Sequence, residues 1–215
     1  MVAGRRSVTL FERDRGQAHT LEGIIATIVL LSSLVYALQV TAVTPLSAST
    51  ASQHIENQQQ ETARGFLAAT EESGALREAL LYYDSVGDEG FHGTGRRTAY
   101  VNDADFPAGF RFGTALAETF TQRGVAINVF LYHETGPGEL SSPRPLVYRG
   151  APSDNAVTAS RLVTIYDDDV LLNADGTRSG TTVETAAANG RYFTTYNAPG
   201  DVYNVVRVEV VVWRM

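Results

Sequence analysis

The stretch from Ile24 to Val43 reads IIATIVLLSSLVYALQVTAV and lies within an uncharged run of 33 residues, Gly23 to Ile55. At 1.5 Å per residue, a helix of about 20 residues is as long as the hydrocarbon core of a bilayer is thick, roughly 30 Å. Helices buried in soluble proteins rarely run this long without a charged face, so a core helix is the weaker interpretation. The stretch therefore predicts a transmembrane helix.

Basic residues flank this stretch closely on its N-terminal side only. Arg5, Arg6, Arg13 and Arg15 precede it, whereas the next basic residue after it is Arg64. The positive-inside rule then places the N-terminus in the cytoplasm and the remainder outside the cell. A cleaved secretory signal peptide is the competing interpretation, but its apolar core is usually only about 7–15 residues long. We therefore expect a single-pass membrane protein with an extracellular C-terminal part.

The junction before the apolar run has a pattern of its own, since residues 13–23 read RDRGQAHTLEG. A short charged leader, then Arg15-Gly16-Gln17, then Glu22 at the threshold of a long apolar helix, resembles the class III signal peptide of archaeal type IV pilin-like proteins. The stretch as far as Gln60 is similar to haloarchaeal proteins of this kind. The resemblance implies cleavage by a prepilin peptidase on the cytoplasmic side of the membrane.

By the same resemblance, the cut falls after Gly16 or, alternatively, after Gln17. The acidic residue of the family usually stands at mature position five, and Glu22 would be sixth after the first cut and fifth after the second. The candidate processing site therefore comprises Arg15, Gly16, Gln17 and Ala18. Cleavage would free an α-amino group with a pKa near ~8. Glu22 could then pair with the amine of a neighbouring subunit, which makes it the candidate assembly residue.

The resemblance implies a structural function rather than a catalytic one. The chain would be a minor pilin or a pseudopilin that assembles through its N-terminal helix and reaches the cell surface, in a filament if it polymerises. Its partners would be membrane lipid, the prepilin peptidase and other pilin-like subunits. The alternative is an uncleaved, single-span, signal-anchored binding protein at the cell surface.

Beyond the apolar run, Pro45 is expected to kink or interrupt the helix. A second helix is predicted from about Ser49 to Tyr83, with one stripe of residues at a spacing of three and four. The members of this stripe are Ile55, Thr62, Phe66, Ala69, Ser73, Leu76, Leu80 and Tyr83. Because Gly65, Gly74 and small polar residues weaken the pattern, we expect this stalk to pack on its own domain or on neighbouring helices.

The C-terminal part is predicted to be rich in strands. In the stretch from Tyr203 to Trp213, every second residue from Val206 to Val212 is valine, which indicates a strand with one buried face. Further predicted elements are a loop at 87–95, a helix at 114–122 and strands at 125–133, 145–149 and 161–166. Turn signals at Pro137-Gly138, Asp175-Gly176, Asn189-Gly190 and Pro199-Gly200 separate the strands.

These elements predict an α+β fold in which a long N-terminal helix, first transmembrane and then an amphipathic stalk, packs on an antiparallel, β-rich C-terminal head. The predicted domains are a cytoplasmic leader (1–16), a transmembrane helix (17–45), a stalk helix (46–86) and an extracellular head (87–215). The head and stalk are rich in tyrosine. Strands favour aromatic residues, so these rings are expected to be structural, with a role at a surface as the alternative for some of them.

Composition excludes several classes of chemistry. The chain has no Cys and a net charge of −7, and all 17 of its basic residues are Arg. Thiol nucleophiles, Cys-ligated metals and lysine chemistry are therefore excluded. Residues 44–215 hold 13 Arg against 21 acidic residues, which argues against nucleic acid as a partner. Abundant acids without Lys are typical of proteins from salt-loving organisms, in which salt screens the repulsion, and a GC-rich genome that replaces Lys by Arg is the alternative explanation.

No motif indicates catalysis, a cofactor or a metal. The four histidines, His19, His54, His92 and His133, are scattered and have no metal-ligand spacing. The run Asp167-Asp168-Asp169 is predicted to be a solvated acidic loop rather than a Ca²⁺ site, since neighbouring strand side chains point to opposite faces. Residues 173–177 resemble part of a calcium loop but lack its first Asp and later Glu, so a β-turn is the better prediction.

Overall fold

The computed structural model describes residues 10–87, 90–95 and 98–214, with the side chains of residues 10–17 and 40–52 outside that description. The first nine residues of the predicted leader also lie outside the described residues. The chain divides into two compact units, Met1–His54 and Ile55–Met215. The first unit contains the N-terminal apolar helix, and the second contains the sheet.

The described residues form four helices and seven strands. The helices are α1 (Leu10–Glu72), α2 (Ala75–Leu81), α3 (Arg111–Thr119) and α4 (Val183–Ala188). The strands are β1 (Val125–Gly136), β2 (Glu139–Leu140), β3 (Arg144–Val147), β4 (Val157–Tyr166), β5 (Val170–Leu172), β6 (Arg178–Thr182) and β7 (Val202–Arg214). Short 3-10 turns lie at Asp103–Asp105 and Thr121–Arg123. This is an α+β fold with an N-terminal apolar helix and an antiparallel sheet, as predicted.

The main sheet is built around the last strand of the chain. Its order is β2-β1-β7-β4, with β3 also paired to β1, and every pairing between these strands is antiparallel. The alternating valines of β7 account for its central place, because Val206, Val208, Val210 and Val212 are all fully buried. The predicted buried face of this strand is confirmed. Strands β5 and β6 form a separate antiparallel hairpin.

Helices cover the buried face of the sheet. The C-terminal part of α1 contributes Phe66, whose ring centroid lies 5.3 Å from that of Phe112 in α3 and 5.2 Å from that of Phe120. Helix α2 buries Leu76 and Leu80 in the same core, and α4 buries Val183, Ala186 and Ala187. The second unit therefore has one continuous hydrophobic core between its helices and its sheet.

The predicted helix from Ser49 to Tyr83 differs from the observed arrangement. Helix α1 is continuous through Pro45 and ends at Glu72, and α2 starts afresh after Gly74, which adopts φ +76°. The helix is interrupted at this break. The spacing of three and four that connects the buried positions of α2, such as Leu80, therefore does not continue into α1. Four members of the predicted stripe are buried, namely Phe66, Leu76, Leu80 and Tyr83, and the other four, Ile55, Thr62, Ala69 and Ser73, are exposed. Within α1 the buried face consists of Ala63, Phe66, Leu67 and Thr70.

Several other elements lie where the sequence predicted them, but their bounds differ from the predicted ones. The predicted helix at 114–122 is α3 followed by a 3-10 turn, and the predicted strands at 125–133, 145–149 and 161–166 correspond to β1, β3 and β4. Helix α4 and strand β6 were not predicted. Asn189-Gly190, which was interpreted as a turn between strands, instead ends α4. At the start of that helix, the Thr182 hydroxyl accepts a hydrogen bond from the Thr185 N–H at 3.2 Å and so caps it.

Candidate functional site

The most distinctive feature of the first unit is an apolar surface. Residues Ala18–Gln39, a 22-residue part of α1, are long and apolar enough to cross a membrane, and none of their most apolar window is buried within the protein. Leu30 is 69% exposed and Tyr36 72% exposed. A soluble core helix would bury such side chains, so this segment is suited to serve as a membrane anchor or a signal sequence.

Polar side chains within this segment are accommodated by the helix itself. The Thr27 hydroxyl donates to the Gly23 carbonyl at 2.7 Å, and the Ser33 hydroxyl donates to the Leu30 carbonyl at 2.8 Å. These bonds remove two polar groups from contact with an apolar solvent, where an unpaired hydroxyl is costly.

The candidate processing residues lie at the start of this segment. Arg15, Gly16 and Gln17 are within helix α1 but among the residues whose side chains fall outside the description, and Ala18 is exposed. Glu22 follows one turn later with its side chain 80% exposed. Its Oε2 lies 3.7 Å from Nδ1 of His19, the residue three positions earlier. The Glu22 carboxylate is therefore accessible on the surface of the helix.

The aspartate run after β4 is not simply a solvated loop. Asp168 is exposed, but Asp169 forms an ion pair with Arg77 of α2, whose Nε donates to Asp169 Oδ2 at 3.1 Å. The same carboxylate accepts from the Tyr166 N–H at 2.8 Å. The prediction of a solvated loop is thus wrong for Asp169, because this carboxylate ties a turn of the sheet to a helix.

The segment that resembles part of a calcium loop is a turn. The Gly176 N–H donates to the Asn173 carbonyl at 2.9 Å, and Asp175 Oδ1 accepts from the backbone N–H and the hydroxyl of Thr177. These hydrogen bonds lower the pKa of the Asp175 carboxyl group. The turn joins β5 to β6, as the Asp175-Gly176 signal predicted.

The four histidines have different surroundings. His19 and His54 are exposed, whereas the His92 ring nitrogen Nε2 lies 3.0 Å from the Leu172 carbonyl oxygen. Burial, followed by the positive charge of Arg144, lowers the pKa of His133. Over the part of the chain that the structure describes, there is no group of three or more His, Asp and Glu side chains that could hold a metal ion.

These features define a class of protein: an N-terminal apolar helix, suited to serve as a membrane anchor or signal sequence, followed by an α+β unit around an antiparallel sheet. Within that class, the chain belongs to a family of unknown function, DUF7288, whose model matches residues 15–212. The match includes the Arg15–Ala18 junction, Glu22 and both units of the fold. Neither the curated proteins nor the solved structures give a match.

Proposed function

We propose that this chain is a membrane-anchored, type IV pilin-like structural subunit, either a minor pilin or a pseudopilin, that is exposed at the cell surface and assembles through its N-terminal helix. The observation that carries the proposal is the exposed apolar helix Ala18–Gln39, which directly follows the Arg15-Gly16-Gln17 junction. An apolar helical surface of this length needs either lipid or other helices around it. Both environments are available to a subunit of this class, first in the membrane and then in a filament.

The orientation in the membrane follows from charge. Arg5, Arg6, Arg13 and Arg15 precede the segment, and none of the following 24 positions up to Gln39 is Arg or Lys. In the proposed topology, these arginines keep the N-terminus in the cytoplasm, where a prepilin peptidase would cut after Gly16 or Gln17. The unit Ile55–Met215 would then lie outside the cell, so its acidic surface would face the medium.

Glu22 is the proposed assembly residue. Its carboxylate is exposed on α1, close to the new N-terminus that cleavage would create. In a bundle of apolar helices, an α-amino group and a carboxylate attract each other strongly, because little water is present to screen them. Such a pair fixes the register between neighbouring helices more reliably than it adds stability. The proposed partner of Glu22 is therefore the N-terminal amine of an adjacent subunit.

The N-terminal and C-terminal parts of α1 have different roles in the proposed subunit. The C-terminal part of this helix belongs to the unit Ile55–Met215 and buries Ala63, Phe66 and Leu67 in its core. In the proposed subunit, that part of the helix is the stalk that carries the β-rich head. We assign the head a structural or binding role at the cell surface, because its described residues include no constellation of side chains that indicates catalysis.

A second candidate function is favoured by the position of Glu22. With a cut after Gly16, Glu22 becomes the sixth residue of the mature chain rather than the fifth, which is the usual position of the acid in the pilin-like pattern. A helix like Ala18–Gln39 also meets the requirements of an uncleaved anchor. The chain would then be a single-span cell-surface binding protein, and the leader would remain attached.

The fate of the leader separates these two functions. We expect N-terminal sequencing and intact mass of the full chain from native membranes to give a mature protein that begins at Gln17 or Ala18. Gly16→Val should block cleavage because a branched side chain enters the cut site. Gly23→Val is the matched control, since a Cβ at Gly23 meets no atom within 4 Å. A wild-type chain that retains its leader would disprove the pilin-like proposal and leave the anchored binding protein.

Assembly is tested separately through Glu22. Glu22→Gln keeps the size of the side chain and removes its charge, so we expect normal cleavage but loss of the subunit from sheared surface filaments. Glu72→Gln, at an exposed acid at the C-terminal end of α1, is the matched control and should assemble normally. Equal recovery of both variants in the filament fraction would show that Glu22 has no role in assembly.

A further inference from the structure

A cleft of about 450 Å³ lies in the second unit, between α2, the start of α3 and the β5–β6 hairpin. This volume is in the range of sites that hold small molecules. The lining combines charged groups of both signs with apolar side chains. The charged residues are Glu78, Arg111, Asp169, Asp175 and Arg178, and the apolar residues are Leu81, Val170 and Leu172.

The hydroxyl group of Tyr82 faces this cleft. The Tyr82 side chain is only 2% exposed, and its ring packs edge-on against Phe110 with centroids 5.1 Å apart. Its hydroxyl lies beside two residues of the cleft wall: a Cβ on Gly109 would be 3.6 Å from it, and a Cβ on Gly176 would be 2.8 Å from it. Glycine at position 176 thus leaves room for the hydroxyl at this side of the cleft.

This hydroxyl differs from those of three other tyrosines of the core. Tyr100, Tyr192 and Tyr203 each donate to a backbone carbonyl, at 2.7, 3.0 and 3.1 Å respectively. The Tyr82 hydroxyl has no hydrogen-bond partner among the described residues. Because Tyr82 lines the cleft and its hydroxyl makes no such bond, this group offers a free donor to a polar atom of a ligand.

The charges of the cleft are largely balanced within the protein. Arg111 Nε lies 3.3 Å from Glu78 Oε2, Asp169 is paired with Arg77, and Asp175 is held by Thr177. An anionic ligand would meet three carboxylates, and a cationic ligand would meet two guanidinium groups. A neutral ligand with several hydroxyl groups can donate to the carboxylates and accept from the guanidinium groups without an uncompensated charge.

We propose that this cleft binds a neutral, polyhydroxylated ring, namely a hexose unit, with its hydroxyls on the charged walls and its C–H face on Leu81, Val170 and Leu172. The Tyr82 hydroxyl donates to a sugar oxygen within the site. Burial, and then the negative charges of Glu78 and Asp175, raise the pKa of Tyr82, so this group stays protonated as a donor. The inference does not depend on the proposed pilin-like function.

The test uses the full chain in lipid nanodiscs and saturation-transfer NMR with named sugars. We expect at least one of glucose, galactose, mannose and N-acetylglucosamine to bind more tightly than the anionic glucuronate and the cationic glucosamine. Absence of binding by all four neutral sugars, or equal binding of the charged ones, would overturn the proposal. A second measurement uses the same sugar attached to a carrier protein. Comparing the two affinities shows whether the cleft prefers a free sugar or the end of a glycan, and binding of either form supports the proposal.

Variants locate the binding in the cleft. Tyr82→Phe keeps the ring and removes the hydroxyl, and we expect the affinity to fall about tenfold. Tyr148→Phe, at a tyrosine 42% exposed outside the cleft, is the matched control and should leave the affinity unchanged. Arg178→Gln is a second test, because Arg178 is exposed and makes no ion pair with the described residues, so the fold should tolerate it. Unchanged affinity in both cleft variants would refute the assignment.

Discussion

The two units of this protein use the same kinds of side chain in opposite ways. In Ala18–Gln39, leucine, isoleucine and valine cover the outside of a single helix, and Leu30 is 69% exposed. In Ile55–Met215, the same residue types face inward, and Leu80 and Val208 are completely buried. The second unit provides its own apolar environment, whereas the first unit must find one in lipid or in other helices.

The two units differ in what surrounds their apolar side chains, not in the types of these side chains. A buried leucine is stabilised by neighbours that the same chain supplies, so its contribution appears in the unfolding free energy of that unit. An exposed leucine on the first unit contributes nothing to that free energy. Its contribution appears only when the helix transfers from water to an apolar phase. Substitutions should therefore affect different measurements in the two units.

The largest expected effect is on membrane association. Ile28→Arg combined with Leu31→Arg should raise the cost of membrane insertion by about 5–7 kcal/mol, because each arginine at the centre of a span costs roughly 2.5–3.5 kcal/mol. We expect the protein to leave the membrane fraction in an alkaline carbonate wash, while the melting temperature of the second unit stays the same. The control exchanges Ile28→Leu and Leu31→Ile. An unchanged membrane fraction would mean that this helix is not the anchor.

The next effect is on the core of the second unit. Leu80→Ala should lower the unfolding free energy by about 2–5 kcal/mol, since it removes a fully buried side chain of α2 and leaves a cavity. Urea denaturation can be followed through Trp213, the single tryptophan, which is 5% exposed on β7. Leu30→Ala, the matched change on the exposed helix, should leave this transition unmoved. Equal destabilisation by both variants would contradict the division into two units.

A third prediction concerns alkaline pH, where the lack of lysine simplifies the titration. Burial raises the pKa values of Tyr100 and Tyr192 in the folded protein. Both side chains are neutral below pH 10, so stability is fully present there and falls as pH rises above the unfolded value near ~10. Each contributes a loss of up to about 1.4 kcal/mol per pH unit. Urea midpoints that stay constant from pH 9 to 12 would contradict this prediction.

The sequence predicted the features whose pattern lies within a single segment. The uncharged run from Gly23 to Ile55 identifies the apolar helix, and the alternating valines of β7 identify a strand with one buried face. The turn at 173–177 also follows from its own residues, because Asp175 bonds to Thr177 only two positions away. Each of these features depends on contacts within a few residues, or on a period that repeats along one element.

Features that depend on distant residues were not predictable. Gly74 lowers helix propensity, but only the observed φ of +76° shows that the chain turns there and resets the phase of the buried face. Arg77 and Asp169 are 92 positions apart, and neither has a neighbour in sequence that indicates the pair. The cleft around Tyr82 combines three separate segments in the same way. The tyrosine-rich composition predicted buried rings but gave no sign of which hydroxyl faces a cleft.

The smallest expected effect distinguishes two buried tyrosines within the second unit. Tyr192→Phe removes the hydrogen bond to the Leu80 carbonyl and should lower the unfolding free energy by about 1 kcal/mol. Tyr82→Phe should change it by less than about 0.5 kcal/mol, because its hydroxyl bonds to no described residue and the ring contact with Phe110 remains. The two urea midpoints, measured through Trp213, provide the comparison. If Tyr82→Phe proves as destabilising as Tyr192→Phe, its hydroxyl has a partner inside the protein, and the cleft loses the donor on which the sugar site depends.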